Sequence, residues 1–206
     1  LAKDGSRMSK SKGNGVDPMD LIEKYGADAM RFNLLTLVTN NQDVKFDANI
    51  DKKTHKLIDS PRTEAARSFV TKIWNAARFV MMNMEGYEPG EPEAATPADA
   101  WILSRLAKLT ANVTSGIEEY RFGTVAHELY VFFWNEFCDW YIELSKARLN
   151  EGGAGRAVAQ RNLVYVLDTA LRLLHPVMPF VTEAIWEHLP IEHDAPALMV
   201  AAWPDP

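Results

Sequence analysis

Cysteine is nearly missing from this chain of 206 residues: Cys138 stands alone. One cysteine cannot close an internal disulfide, and it excludes a cysteine-rich zinc site; a reducing, cytoplasmic setting is expected. The five histidines show no metal-ligand spacing, so no metal ligand is assigned. No apolar run approaches the ~18 residues that a membrane span needs, so no membrane is expected among the partners. No charged stretch leads into an apolar one at the start, and no secretion signal is expected. The chain opens on Leu1 rather than methionine, and a piece of a longer protein is expected. A surplus of positive charge is missing as well. The net charge of −6 argues against indiscriminate nucleic-acid binding. That charge is unevenly spread, net +4 over residues 1–80 and −10 over 81–206. A phosphate-facing surface is therefore expected on the N-terminal part.

What is present starts with Arg7–Asn14, RMSKSKGN. Arg7, Lys10 and Lys12 sit beside Ser9 and Ser11, and only Met8 is apolar. Such a segment cannot bury itself, but it can wrap an anion. The cations neutralise phosphate oxygens, and hydroxyl and backbone N–H groups donate to them. Gly13 and Gly15 let the backbone approach closely. On composition alone a solvated basic loop remains the other reading.

The rest of the chain reads as helices. Asp17-Pro18 is a cap followed by a proline at the first helical position, and that helix should stop near Gly26. A second short helix is predicted over Asp28–Leu37 with Met30, Leu34 and Leu37 on its apolar face. Thr39–Gln42 reads as a polar loop and Asp43–Phe46 as a brief extended segment. Asp51–Lys56 is basic and polar. Ser60-Pro61 repeats the start signal, and Ala66, Phe69, Val70, Ile73, Trp74, Ala77, Val80, Met81 and Met84 follow helical spacing. Glu85–Ala98, with four glutamates, two glycines and three prolines, is a linker. Thr96-Pro97-Ala98-Asp99 resembles a capping box, and Ile102, Leu106, Leu109, Val113 and Ile117 continue from it as a stripe. After a break at Arg121–Gly123, a third long helix runs from Ala126 to Leu144 and ends before Gly152-Gly153. A fourth carries Leu163, Leu167, Ala170, Leu171 and Leu174, is broken by His175-Pro176, and is followed by a shorter helix from Pro179 to Leu189. The tail Ala197–Trp203 reads as extended. Four long amphipathic helices must cover one another's stripes, so the expected fold is all-α, an antiparallel helical bundle. Trp74, Phe133, Trp140 and Trp186 are assigned to the core, with Ile185 beside Trp186 as an anchor. Trp134 and Tyr130 flank that stripe, and either is a candidate for stacking on a nucleotide. Arg67, Arg78, Arg105, Arg121 and Arg148 read mostly as solvated residues, with one or two left for RNA phosphates. Cys138, between Phe137 and Asp139 among aromatics, reads as an inert, largely buried thiol.

The order of letters adds a resemblance. RMSKSKGN and the following GVDPMDLIEKYGADAMRF resemble the KMSKS signature region of class I aminoacyl-tRNA synthetases of the valyl, isoleucyl and leucyl group. KIWNAARFVMMN, AWILSRL, YRFGTVAHELYVFFWNEFCDWYIELSK and LLHPVMPFVTEAIW resemble the C-terminal part of that group, and NEFCDWYIE its valyl branch in particular. The resemblance implies a KMSKS-type loop with short helices over residues 1–50, closing a catalytic region, and a helical anticodon-binding domain over 51–206. It implies a parent ligase that joins valine to tRNA(Val) with ATP, supplied with Mg2+, as substrate. The partners implied are tRNA(Val), ATP and valine, and the parent is expected to be a monomer. Lys10 is then the main stabiliser of the leaving pyrophosphate and Arg7 a secondary phosphate contact. Ser9 and Ser11 set the loop, and Met8 belongs to the same ATP-phosphate segment. The loop should be mobile without ATP and close over it. Arg7 departs from the usual lysine, keeping the charge but changing its shape. Residues 51–64 are longer than this connection usually is. The HIGH-containing half, amino-acid pocket and editing domain have no counterpart here, so the chain by itself should not make the adenylate. An isoleucyl or leucyl relative, or a stand-alone helical tRNA-binding module, are the other readings.

Overall fold

The computed structural model describes residues 1–38, 43–51 and 53–206, without the Lys10 side chain. Thr39–Gln42, read above as a polar loop, lies outside the described residues. Helix α1 spans Pro18–Tyr25, and the Asp17 carboxylate accepts the Met19 N–H at 2.9 Å to cap it. Helix α2, Ala27–Thr36, follows at once. Its buried face matches the predicted one only in part: Leu37 is buried and Met30 half-buried. Asp28, Ala29, Phe32 and Asn33 point inward, and Leu34 is 38% exposed. Specific polar partners rotate this helix. Asp28 accepts the Phe180 and Val181 N–H groups at 3.3 and 2.7 Å, and Asn33 donates to Thr63 Oγ1 at 2.9 Å.

Asp43–Phe46 runs beside the chain start, where the Leu1 amino group donates to the Val44 carbonyl at 2.6 Å and Phe46 N–H to the Leu1 carbonyl at 3.0 Å, without being part of the strand pair. The extended pair lies further on, where no strand was expected. Strands β1, Asn49–Ile50, and β2, Leu57–Asp59, pair antiparallel, with a turn at Lys53-Thr54 between them. Helix α3, Pro61–Met82, then begins at its proline. Ser60 occupies the cap position, but its hydroxyl bonds Thr63 Oγ1 at 2.7 Å and the Asp47 carbonyl at 2.8 Å rather than capping.

Helix α4, Pro97–Glu118, starts with the predicted capping box, Thr96 and Asp99 bonding each other's backbone N–H. Helix α5, Phe122–Tyr130, a π-helical stretch Val131–Tyr141, and helix α6, Ile142–Glu151, run on as one rod. Helix α7, Gly153–Leu174, and helix α8, Pro179–Trp186, complete the chain, with a short 3-10 turn at Leu198–Val200 in the tail predicted to be extended. Contacts fix the directions. Phe69 meets Phe133 and Lys72 meets Asp139, so α3 and the α5–α6 rod run parallel. Asp99 meets Arg148 and Arg105 meets Glu136, so α4 runs against that rod. The turn at Gly152-Gly153 reverses the chain into α7. The sense therefore alternates through α3, α4, the rod and α7, which is the antiparallel bundle expected. One apolar core joins Phe32 of α2 to Phe69, Leu106, Phe137 and Leu167 of the bundle.

Two assigned core residues are outside it. Trp74 is 49% exposed and Trp140 62%, whereas Phe133 and Trp186 are buried. On α3 the seam is narrow, running through Phe69, Ile73, Ala76, Ala77 and Val80, and Trp74 falls beside it. On the rod the π-turn is responsible. Its i→i+5 bonding widens the helix, keeping Phe132, Phe133, Phe137, Cys138 and Tyr141 inward and turning Trp140 outward. The long linker is also not loose. Asn162, fully buried on α7, takes Glu93 N–H and gives to the Glu93 carbonyl, both at 2.8 Å.

Helix α5 meets the end of α2 through Gly123. A Cβ there would lie 2.2 Å from the Val38 carbonyl oxygen, which is backbone and cannot swing aside. Gly123→Ala is expected to destabilise the fold by about 1–3 kcal/mol. Urea unfolding should show a lower midpoint with an unchanged slope.

Candidate phosphate-binding loop and nucleic-acid face

The RMSKSKGN segment turns once at Lys10–Lys12 as a 3-10 helix, closed by Lys12 N–H to the Ser9 carbonyl at 3.3 Å. Asn14 pins it. Its Oδ1 accepts Ser9 N–H at 2.9 Å, and its Nδ2 donates to Ser6 Oγ at 3.0 Å and to the Arg7 carbonyl at 3.3 Å. The Ser9 and Ser11 hydroxyls lie 3.3 Å apart. Asn14 was given no role in reading the sequence. No local signal pointed to it, because its partners lie five to eight residues back rather than at the short spacings of an asparagine turn. Arg7, Ser11 and Lys12 are exposed, and Met8 and Ser9 half-buried. The Lys10 side chain lies outside the described residues. Among the described residues, neither Arg7 nor Lys12 pairs with a carboxylate. The loop edges an open groove of about 830 Å³ whose walls include Met8, Lys12, Gly13, Phe46, His55 and Asp59.

On the bundle, α3 and the rod lie side by side and carry the exposed Trp74 and Trp140. Lys72 bridges them, 2.9 Å from Asp139 and over the Trp134 ring at 5.1 Å. Lys146 sits over the Phe79 ring at 5.7 Å. The two stacking candidates named from sequence, Tyr130 and Trp134, are half-buried and stack on each other at 5.4 Å, with Phe69 against both. The arginines divide. Arg67 and Arg78 are exposed. Arg121 pairs with Glu119 at 2.8 Å, and Arg105 grips Glu136 at 2.9 and 2.7 Å. Arg148 is no solvated residue; it pairs with the fully buried Asp99 at 2.7 Å. Cys138 is buried, and burial pushes its thiol up to about 12, so the thiolate needed for reactivity is suppressed. Among the described residues no three His, Cys, Asp or Glu side chains converge as a metal site, and no helix is long and apolar enough to cross a membrane.

Residues 1–47 match the family described as tRNA synthetases class I (I, L, M and V). Residues 99–206 match the anticodon-binding domain of tRNA ligase, and the chain belongs to that family. Its relatives are more particular. It is 45% identical over 203 residues to the valine–tRNA ligase of Pseudothermotoga lettingae, and 47% over 204 residues to that of Bacillus cereus. These matches cover 98% and 97% of the chain but 22% of each relative, so the chain spans about a fifth of their length. Among solved structures, a LeuRS–tRNA–LeuAMS complex from Agrobacterium radiobacter superposes on the whole chain and 23% of its own, with a TM-score of 0.75 at 20% identity. Mycobacterium tuberculosis methionyl-tRNA synthetase with methionyl-adenylate covers 89% of this chain and 35% of its own, at 0.65 and 24%. At those identities the likeness is one of fold.

Proposed function

We propose that this chain is the part of a valine–tRNA ligase that supplies the ATP-phosphate loop and the anticodon-binding bundle. The reading rests above all on valine–tRNA ligase similarity along nearly its whole length. The parent joins valine to tRNA(Val) using MgATP as substrate, and acts as a cytoplasmic monomer. The working boundary falls near residue 50, with the loop and α1–α2 on the catalytic side and 51–206 on the RNA side. It divides roles rather than packing, because the apolar core runs continuously across it.

In the first half-reaction a valine carboxylate oxygen bonds to the α-phosphorus of ATP as the bond to pyrophosphate breaks. Negative charge grows on the departing phosphates, and cations placed there lower the barrier. Lys10 carries that role, Arg7 is a second phosphate contact, and Met8, Ser9 and Ser11 belong to the same ATP-binding segment, the serines shaping its turn. Arg7 and Lys12 have no carboxylate partner among the described residues, which leaves charge available to an incoming polyphosphate. The turn closes over ATP from a more mobile state without it.

The bundle holds the anticodon arm, and the outward Trp74 and Trp140 replace Tyr130 and Trp134 as the rings offered for stacking. Chemical footprinting of tRNA(Val) with this chain tests the reading. Protection is expected at the anticodon loop, and Trp74→Ala with Trp140→Ala should weaken it about tenfold or more. Protection confined to the acceptor end would overturn the assignment. The chain alone is expected to show no ATP–pyrophosphate exchange.

A further inference from the structure

The turn between β1 and β2 falls between the two regions matched by families, 1–47 and 99–206. It reaches across to the phosphate loop at one point. His55 Nδ1 lies 3.1 Å from the Gly13 carbonyl oxygen, so the ring carries its proton on Nδ1 and donates. The fit is close from both sides. A Cβ on Gly13 would stand 2.2 Å from the imidazole ring. Both residues occupy the left-handed region, Gly13 at φ +61° and His55 at φ +56°. For glycine that conformation is free, whereas for histidine it is uncommon and must be held by its surroundings.

The turn is built to hold it. Asp51 Oδ1 accepts the Lys53 and Thr54 N–H groups at 2.9 and 2.7 Å and the Thr54 hydroxyl at 2.9 Å. Asp51 N–H bonds the Lys56 carbonyl at 2.9 Å, and His55 N–H the Asp51 carbonyl at 2.8 Å. The base of the hairpin is fixed to α1, where Lys24 donates to the Ile58 carbonyl and Asp20 accepts Leu57 N–H at 3.4 Å. The phosphate loop is therefore pinned twice, by Asn14 from within and by His55 from outside.

We propose that the β1–β2 hairpin is a brace for the phosphate loop and that His55 is its positioning residue. The ring fixes Gly13, and so sets where Lys12 and the serine turn stand over the groove. The meaning of this brace for ATP rests on the function proposed above; the brace itself does not.

Amide hydrogen exchange of this chain tests it without ATP, so failure of either idea leaves the other standing. His55→Gly keeps the left-handed backbone and removes the ring. It should speed exchange at Ser9 and Lys12 by roughly fivefold to tenfold while amides in α4 and α7 stay as they were. His55→Asn tolerates the same backbone and puts a donor where Nδ1 stood, and should restore wild-type exchange to within about threefold. Unchanged Ser9 and Lys12 exchange in His55→Gly would overturn the brace, as would an asparagine variant no better than glycine. Fraying of the hairpin itself is separated by adding Gly13→Ala. Its disturbance of the loop should be smaller in the His55→Gly background, where the clash is gone, and strict additivity would overturn the contact.

Discussion

Arg148→Ala is expected to lower the unfolding free energy by about 3–5 kcal/mol, the range for breaking one partner out of a buried ion pair. Asp99 is fully buried, and it holds the start of α4 to the rod. Its carboxylate takes two bonds from the Arg148 guanidinium, at 2.8 and 2.7 Å, one from the Tyr141 hydroxyl at 2.7 Å, and two from Thr96. Burial alone would push this carboxyl up. The Arg148, Tyr141 and Thr96 bonds outweigh it and bring it down from 3.8 to about 2. Because the folded value lies below the ordinary one, the stabilisation is complete above pH about 3.8 and is lost as pH falls through about 2. A difference of that size corresponds to about 2 kcal/mol at neutral pH. In Arg148→Ala the stranded carboxylate can relieve its burial only by taking a proton. The gap between wild type and variant should therefore be widest at pH 7 and shrink in acid. Urea unfolding at pH 7 and pH 3 checks both statements. A loss under about 1 kcal/mol at pH 7, or an equal loss at both pH values, would show that the pair does not hold the helices together. Arg148→Lys should fall between, since it keeps charge but not the two-pronged geometry.

This pair also marks where sequence reading stops. The cap of α4 was legible because Thr96 and Asp99 lie three residues apart and bond locally. The partner of Asp99 was not, because Arg148 is 49 residues away and any arginine on a helix looks solvated in one dimension. Helix starts at Asp17-Pro18, Ser60-Pro61 and Pro179, the four-rod bundle and its alternating sense all followed from local signals and stripe length. The inward faces were less secure wherever a polar contact or a change of helical pitch took over. Asp28 and Asn33 turn α2 through bonds to α8 and α3 that its apolar residues do not announce. The π-stretch breaks the 3.6-residue count that placed Trp140 inside. The aromatic run beneath it stays packed, Phe133 to Phe137 at 5.4 Å and Phe137 to Tyr141 at 6.4 Å, which a wider turn accommodates. In the loop, the charged letters were conspicuous and the parts that hold them were not. Asn14 and His55 are ordinary letters whose partners appear only in three dimensions.

Lys10→Ala, made in a full-length ligase carrying this chain, is expected to slow ATP–pyrophosphate exchange by about 10²–10³-fold, near 3–4 kcal/mol of transition-state stabilisation. ATP's phosphates are already anionic when bound, but further charge grows on the leaving pyrophosphate as the bond breaks, and a cation aimed at that increment is felt more in kcat than in the KM for ATP. Arg7→Ala should do less, about tenfold, because a second contact on an already neutralised phosphate adds less. Lys12 supplies the comparison. Its side chain lines the groove beside Gly13 and His55, and it has no carboxylate partner among the described residues. If Lys12→Ala is the more damaging change, the stabilising role passes to Lys12 and the turn at Lys10–Lys12 presents its last cation, not its first, to the departing group. If exchange in Lys10→Ala stays within about threefold of wild type, Lys10 has no such role. Lys10→Arg sharpens the assignment: it keeps a cation in a planar fork, and recovery of only part of the rate would mean that position as well as charge is read at the breaking bond.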